Sequence, residues 1–483
     1  MRKENVAHLK KSTIISTFSL FFQSGYAAVL GLAANLVLTI LLSPAVFGIY
    51  ITVLSLISLL NYFSDIGLAA SLIQKKDITD DDIKTTFTLQ QILIITTISI
   101  GFLLGHFVQS FYKLPPEGIY LYYALLLSFF ISSLKTIPSI FLERHIQFQK
   151  IVIVQIIENT VFYISVIMLA LAHFSLMSFT YSVILRAVVG LIAIYTISPW
   201  IPRIGIAPHS VKTLLSFGVP FQASSFLALF KDDLIILFLG KILGFEGVGY
   251  IGWAKKWAEA PIRIIMDNLS RVIFPLIARF QDDENRVKQL LQKILYYQTA
   301  LLAPLMLGLA YGMNQLIYLI PHYEKWAKAL PIFYIFILSS FLVTYSSPFM
   351  NLFNALGKVK TTFSLMVFWT VIMWIFTPIT TRLWGMYGFP LTHLLISLTF
   401  VLVIYIGRRY VSLSFFAGLL PFIVSALGMG LFLLIFTFFI PLQSFVFLSI
   451  SVCLAAVVYY LFVHFVFRIH IIFDFIQLLR KNI

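Results

Sequence analysis

The chain has 483 residues, of which 60% are hydrophobic and 11% charged, and its mean hydropathy is +0.96. A soluble protein of this length covers its surface with far more charge, so lipid is the main solvent and a globular soluble enzyme is excluded. The net charge of +15 does not point to nucleic acid, because the basic residues fall mostly in short segments between apolar runs. The single cysteine, Cys453, lies in an apolar run and has no intrachain disulfide partner.

The first long apolar run starts near Thr13; it exceeds a signal-peptide core and has no small-residue cleavage site before the next run. Further runs of spanning length follow at about 47–73, 86–111, 118–142, 151–172 and 177–201. A second series occupies about 214–240, 248–277, 290–320, 328–356, 361–381 and 385–407, and two more runs lie at 413–440 and 445–467. Ser43-Pro44, Pro115-Pro116, Pro321 and Pro441 supply turn signals at several breaks. The expected fold is an all-α polytopic membrane protein of about fourteen transmembrane helices. With the N-terminus in the cytoplasm, 22 of the 34 basic residues fall on the inner side and 5 in outer loops. That alternating bias follows the positive-inside rule and places both termini in the cytoplasm. Removing or adding one hairpin preserves the parity, so twelve or sixteen spans satisfy the same pattern.

Phe22-Gln23 to Asn35-Leu36 and Phe47-Gly48-Ile49-Tyr50 recur loosely about 200 positions later as Phe221-Gln222, Asp233-Leu234 and Val248-Gly249-Tyr250. An offset holding an even number of spans gives two like-oriented repeats, as in parallel-repeat transporters. The expected organisation is a six-helix bundle over 1–205, a second over 206–410, and two additional helices with an amphipathic cytoplasmic tail over 411–483. The last two helices carry no Asp, Glu, Lys or Arg between Val411 and Phe467 and are expected to face lipid. No connection exceeds about 15 residues, which leaves no soluble domain for an active site, and no enzyme is expected.

Seven basic residues fall inside spans: Lys135, Arg186, Lys231, Lys255, Lys256, Arg263 and Arg271. Six acids join them: Asp65, Glu158, Asp232, Asp233, Glu259 and Asp267. Each would cost about 2.5–3.5 kcal/mol at a lipid-facing helix centre, so they must pair, face water, or both. Lys255, Glu259, Arg263, Asp267 and Arg271 are spaced four apart with alternating sign, which puts them on one slowly winding helix stripe. Two readings stand: a self-neutralised ladder, or the lining of a hydrated cavity that holds an anionic, sugar-like cargo near Trp253 and Trp257. Lys231-Asp232-Asp233 either carry a coupling H⁺ or Na⁺ or neutralise the stripe. Asp65 and Asn35 align with Asp267 and Asp233 of the repeat as cavity-lining candidates. Lys135, Glu158 and Arg186 serve the first bundle, or Lys135 and Glu158 form a structural pair. His393 and His464 read as satisfied core or interface residues, and Asp77 to Asp82 as a helix cap with no metal role.

Leu42-Ser43-Pro44-Ala45-Val46-Phe47-Gly48-Ile49-Tyr50, Phe63-Ser64-Asp65-Ile66-Gly67-Leu68 and Gln74-Lys75-Lys76-Asp77 resemble polysaccharide-biosynthesis flippases. So does the later segment Val248-Gly249-Tyr250, Ala258 to Pro261, and Arg271 to Arg279 with Gln281-Asp282-Asp283. These flippases belong to the multidrug/oligosaccharidyl-lipid/polysaccharide exporter superfamily, and the likeness is to its exopolysaccharide and teichuronic-acid exporters. The resemblance implies two six-helix bundles, alternating access and no cofactor beyond an ion gradient. It also implies an undecaprenyl-diphosphate-linked oligosaccharide cargo, the bacterial cytoplasmic membrane, and contact with polysaccharide polymerase machinery and membrane lipids. The alternative within the same superfamily is a cation-coupled small-molecule exporter of the multidrug type.

Overall fold

The computed structural model describes residues 2–64, 66–412, 415, 418–439 and 444–470. Within them the side chains of 2–15, 17–18, 21, 63–64, 220–221, 223–228, 231–232, 267–272 and 274–275 are not described. The described residues form helices and no strand. That outcome follows from lipid as solvent, in which every backbone polar group must be satisfied within its own segment. Among the described residues, eleven helical stretches are long and apolar enough to cross a membrane, or twelve with one bent pair counted as a span.

Two of these stretches exceed a single crossing. Asp233–Met266 has 34 residues and Val359–Gly407 has 49, which at ~1.5 Å per residue far outrun ~30 Å of hydrocarbon. Each contains a glycine in non-helical backbone space, Gly244 (φ +69°, ψ 179°) and Gly385 (φ +57°).

The chain divides into two units, Met1–Gly252 and Trp253–Ile483. The first holds α1 (Arg2–Leu41), α2 (Pro44–Ser64), α3 (Leu68–Gln74), α4 (Asp80–Leu103), α5 (Gly105–Tyr112), α6 (Pro116–Ser133), α7 (Thr136–Arg144), α8 (Phe148–Leu171) and α9 (Met177–Ile197). It also contains the first part of α10 (Pro208–Arg279). Within it α1 packs on α8, α8 on α9, α9 on α6, and α6 on both α2 and α4.

Local chemistry explains several boundaries. Thr79 caps α4 by accepting from the Asp82 amide, and Asp82 accepts in return from the Thr79 amide, forming a capping box. Asp82 also binds Lys75 at 2.7 Å, so the aspartate-rich loop is a helix cap, as its sequence indicates. Pro115 and Pro116 start α6, where a missing amide costs nothing.

The second unit continues α10 and adds α11 (Glu284–Leu319), α12 (Leu330–Thr344), α13 (Ser347–Ala355), α14 (Val359–Trp384), α15 (Gly388–Leu398), α16 (Phe400–Gly407), α17 (Leu420–Phe439) and α18 (Phe445–Leu461). α14 and α15 pack against each other across Gly385, and α12 packs on α15. The charge-free pair α17 and α18 packs on α11 through Phe422, Met429, Ala455 and Tyr459, leaving Leu431, Leu434 and Phe438 exposed. The expected amphipathic tail beyond residue 470 lies outside the described residues.

Candidate functional site

In the first unit, the helix that begins at Pro116 breaks after Ser133 and resumes at Thr136, bent by 43°. A break inside a membrane exposes backbone groups that need partners. Here the Tyr195 hydroxyl donates to the Leu134 carbonyl at 3.1 Å, and Gln90 and Gln91 of α4 donate to Thr136 and Ser133 at 3.1 Å each. The bend is therefore stitched to α4 and α9, and it carries Lys135 at the start of α7.

Lys135 Nζ donates to Glu158 Oε1 of α8 in a tight ion pair, with the two side chains only 18% and 9% exposed. Helix α9 makes room for the carboxylate at Gly190, where any Cβ would overlap it. One turn earlier on α9, Arg186 lies 5.7 Å from the centre of the Phe162 ring. Among the described residues Arg186 forms no ion pair.

These three charges border a chamber of about 360 Å³, within the size range of small-ligand sites. Tyr50, Ser58 and Asn61 line it from α2, Ser128 and Ser132 from α6, with Leu54, Ile57 and Val183 as its apolar wall. Tyr50 stacks on Phe179 at 4.1 Å between ring centres, which fixes its ring at the chamber wall. Two cations, one carboxylate and a set of hydroxyl and amide groups make a surface suited to a hydroxylated, anionic ligand. Sequence reasoning named Glu158, Arg186 and Lys135 but missed the polar lining. The signal was present on α2, where Tyr50, Leu54, Ile57, Ser58 and Asn61 fall on one helical face.

The α10 stripe is partly a ladder. Arg263 Nη2 donates to Glu259 Oε2 at 2.9 Å, and Lys255 Nζ lies 3.8 Å from Glu259 Oε1, so one acid serves both cations. Lys255 also lies 5.8 Å from the centre of the Phe389 ring. Lys256 is exposed, and the Arg263 side chain is 70% exposed. The side chains of Lys231, Asp232, Asp267 and Arg271, and residue Asp65, lie outside the described residues. Asp233 is half-buried, and Asn35 is buried with its amide nitrogen unpartnered among the described residues.

Trp253 is no platform for a sugar. It is buried, stacks on Trp326 at 5.4 Å, and donates from Nε1 to the Tyr323 hydroxyl at 2.9 Å. His393 meets Ser339 at 3.1 Å between the rings of Phe336 and Phe389, a satisfied core histidine. His464 lies 3.2 Å from His470. Among the described residues no three or more His, Cys, Asp or Glu form a metal-holding group.

Among the described residues the chain is a polytopic helical bundle with charged residues sheltered between its helices, which defines the class: a multi-span helical membrane protein. Residues 37–331, more than half of the chain, match the model of the polysaccharide biosynthesis protein family, and the chain belongs to that family. The succinoglycan biosynthesis transport protein of Rhizobium meliloti is 23% identical over 67% of this chain and 65% of its own length. A lipopolysaccharide biosynthesis protein of Escherichia coli is 25% identical, covering 76% of this chain and 75% of that protein. The teichuronic acid biosynthesis protein of Bacillus subtilis is 23% identical over 62% of each chain. The chain thus matches just under two thirds of the length of the first and third of these relatives.

Among solved structures, a lipid II flippase in an inward closed conformation superposes with a TM-score of 0.72 at 14% identity, covering 94% of this chain and 99% of that one. An inward-facing multidrug resistance transporter gives 0.57 at 15% identity, covering 81% of this chain and 94% of that one. These likenesses identify the fold.

Proposed function

We propose that this protein is a flippase that moves a polyprenyl-diphosphate-linked oligosaccharide from the cytoplasmic to the outer leaflet by alternating access, for cell-surface polysaccharide synthesis. The observation that carries the reading is the chamber, which sets a guanidinium with no ion-pair partner among the described residues beside the largely buried Lys135–Glu158 pair, among hydroxyl and amide groups within the membrane-spanning bundle. Membership of the polysaccharide biosynthesis family supplies the class of cargo.

In this reading Lys255, Lys256 and Arg263 take the cargo's diphosphate while the polyprenyl tail stays in lipid. Asp65, Asp232 and Asp233 carry the coupling H⁺ or Na⁺. The host membrane is the bacterial cytoplasmic membrane, both termini lie in the cytoplasm, and polymerase machinery receives the unit on the outer face. A carrier of cationic drugs would favour an excess of acid, whereas the chamber holds two bases and one acid.

The test is the sidedness of the lipid-linked oligosaccharide in cells lacking the protein. Cytoplasmic-leaflet accumulation, seen as protection from an impermeant glycan-oxidising reagent, is the expected result. Normal outer-leaflet delivery in its absence would overturn the assignment.

A further inference from the structure

Two pairs of glycines bring the chain into backbone contact with α10, one pair at the start of α2 and the other just beyond its end, at the residue that precedes α3. At the first, a Cβ on Gly48 would overlap the Phe245 carbonyl and stand 3.0 Å from the Gly249 amide nitrogen. Reciprocally, a Cβ on Gly249 would overlap the Pro44 carbonyl, and one on Gly252 would overlap the end of Ile51. The obstructing atoms at Gly48 and Gly249 are main chain, which cannot rotate away. Gly48 and Gly249 belong to the two repeat motifs, and Ile51 and Gly252 share their offset of about 200 positions. The contact therefore joins positions that the sequence repeat pairs with each other.

At the other end, Gly67 (φ +77°) meets Gly218. A Cβ on Gly67 would overlap the Gly218 carbonyl, and one on Gly218 would lie 2.6 Å from the Ile66 carbonyl. Gln222 donates to the Tyr62 carbonyl at 3.2 Å beside this crossing. Nineteen positions separate the two crossings, and the part from Gly48 to the end of α2 at Ser64 alone gives ~24 Å of helix, most of the hydrocarbon thickness. The chamber residues Tyr50, Ser58 and Asn61 lie between them in sequence.

We propose that these crossings are the two closures of the transport path, Gly48–Gly249 at the outer face and Gly67–Gly218 at the inner face, and that this structure has both shut. The assignment of faces rests on the flippase reading and its topology. Glycine serves here because two helix backbones can meet and part only where no side chain intervenes, the role small residues have at membrane helix interfaces. A closure that opens transiently leaves the open form as a minority population. A methyl group wedged into the crossing destabilises only the shut form, so it shifts the population toward the open one.

The experiment reads accessibility and needs no cargo, so a failure of the closures is distinguishable from a failure of the flippase reading, which the sidedness of the lipid-linked oligosaccharide tests. In a Cys453→Ser background, Ser58→Cys reports on the segment between the crossings, using a membrane-impermeant maleimide applied to right-side-out or inside-out vesicles. Gly48→Val is expected to raise labelling from outside roughly tenfold or more, and Gly218→Val to do the same from the cytoplasmic side. Unchanged labelling from the matching side, in protein that remains inserted and monodisperse, would overturn the proposal. Should a wedge variant fail to accumulate, the pair Ile51→Cys and Gly252→Cys decides the outer crossing. Its oxidation is expected to suppress outside labelling, with recovery on reduction. Labelling indifferent to that bridge would overturn the outer closure.

Discussion

Gly190 and Glu158 share one space: the carboxylate occupies the volume that any side chain at position 190 would fill. Gly190 lies one turn beyond Arg186 on α9, so the same helix face that presents a cation also opens a slot for the acid. Gly190→Ala is expected to push Glu158 away from Lys135 and to cost about 1–3 kcal/mol as overpacking. The measurement is the melting temperature of purified protein, against Gly25→Ala as a control where nothing lies within 4 Å of an added methyl. Equal melting temperatures would place the carboxylate elsewhere.

The Lys135–Glu158 pair is buried, so removing one partner leaves an uncompensated charge in a low-dielectric site. Lys135→Met and Glu158→Leu alone are each expected to destabilise by about 3–5 kcal/mol. The double variant, which leaves no orphan charge, should recover most of that loss. A double-mutant cycle by thermal unfolding reads the coupling directly. Additive losses would show that the two side chains do not meet.

Arg186 is the chamber's cation without an ion-pair partner among the described residues. Arg186→Ala is expected to abolish polymer export while leaving insertion and melting temperature near those of the parent. Arg186→Lys keeps the charge but loses the forked donor geometry and the guanidinium 5.7 Å from the Phe162 ring centre, so export should fall to an intermediate level. On α10, Lys256→Ala and Arg263→Ala are expected to block export in the same assay. Full export in both would remove the stripe from the cargo path.

Arg144 gathers four carbonyls around its guanidinium: Leu72, Ile73 and Lys75 through Nη1 at 2.8, 3.0 and 2.6 Å, and Lys76 through Nη2 at 2.9 Å. Arg144→Ala strips the end of α3 and its following turn of these donors. A loss of about 2–3 kcal/mol is expected, since hydrogen bonds to a charged donor exceed neutral ones. Hydrogen exchange should accelerate over residues 68–82 and stay unchanged in α8. Slow exchange throughout would assign the segment's order to Lys75–Asp82 alone.

What the sequence determined was set by costs that act locally along the chain. Apolar runs and the scarcity of charge fix a helical membrane protein, and the inner excess of Lys and Arg fixes its expected sidedness. The cap at Thr79 and Asp82 was legible for the same reason, because its partners are three residues apart. The price of a charge in lipid also pointed to Lys135 and Glu158 as partners. Composition and spacing left two readings of the α10 stripe, and only its geometry showed Glu259 serving both Lys255 and Arg263.

Tertiary structure alone decided which face of each helix meets which neighbour. The chamber needs Tyr50, Ser132, Glu158 and Arg186 from four helices brought together. The glycine crossings need backbones about 150 and about 200 positions apart to touch. Trp253 was drawn into a buried stack with Trp326 and away from any ligand. Helical periodicity states that a face is polar, small or aromatic; the packing of whole helices, a sum of weak contacts between distant segments, decides what that face meets.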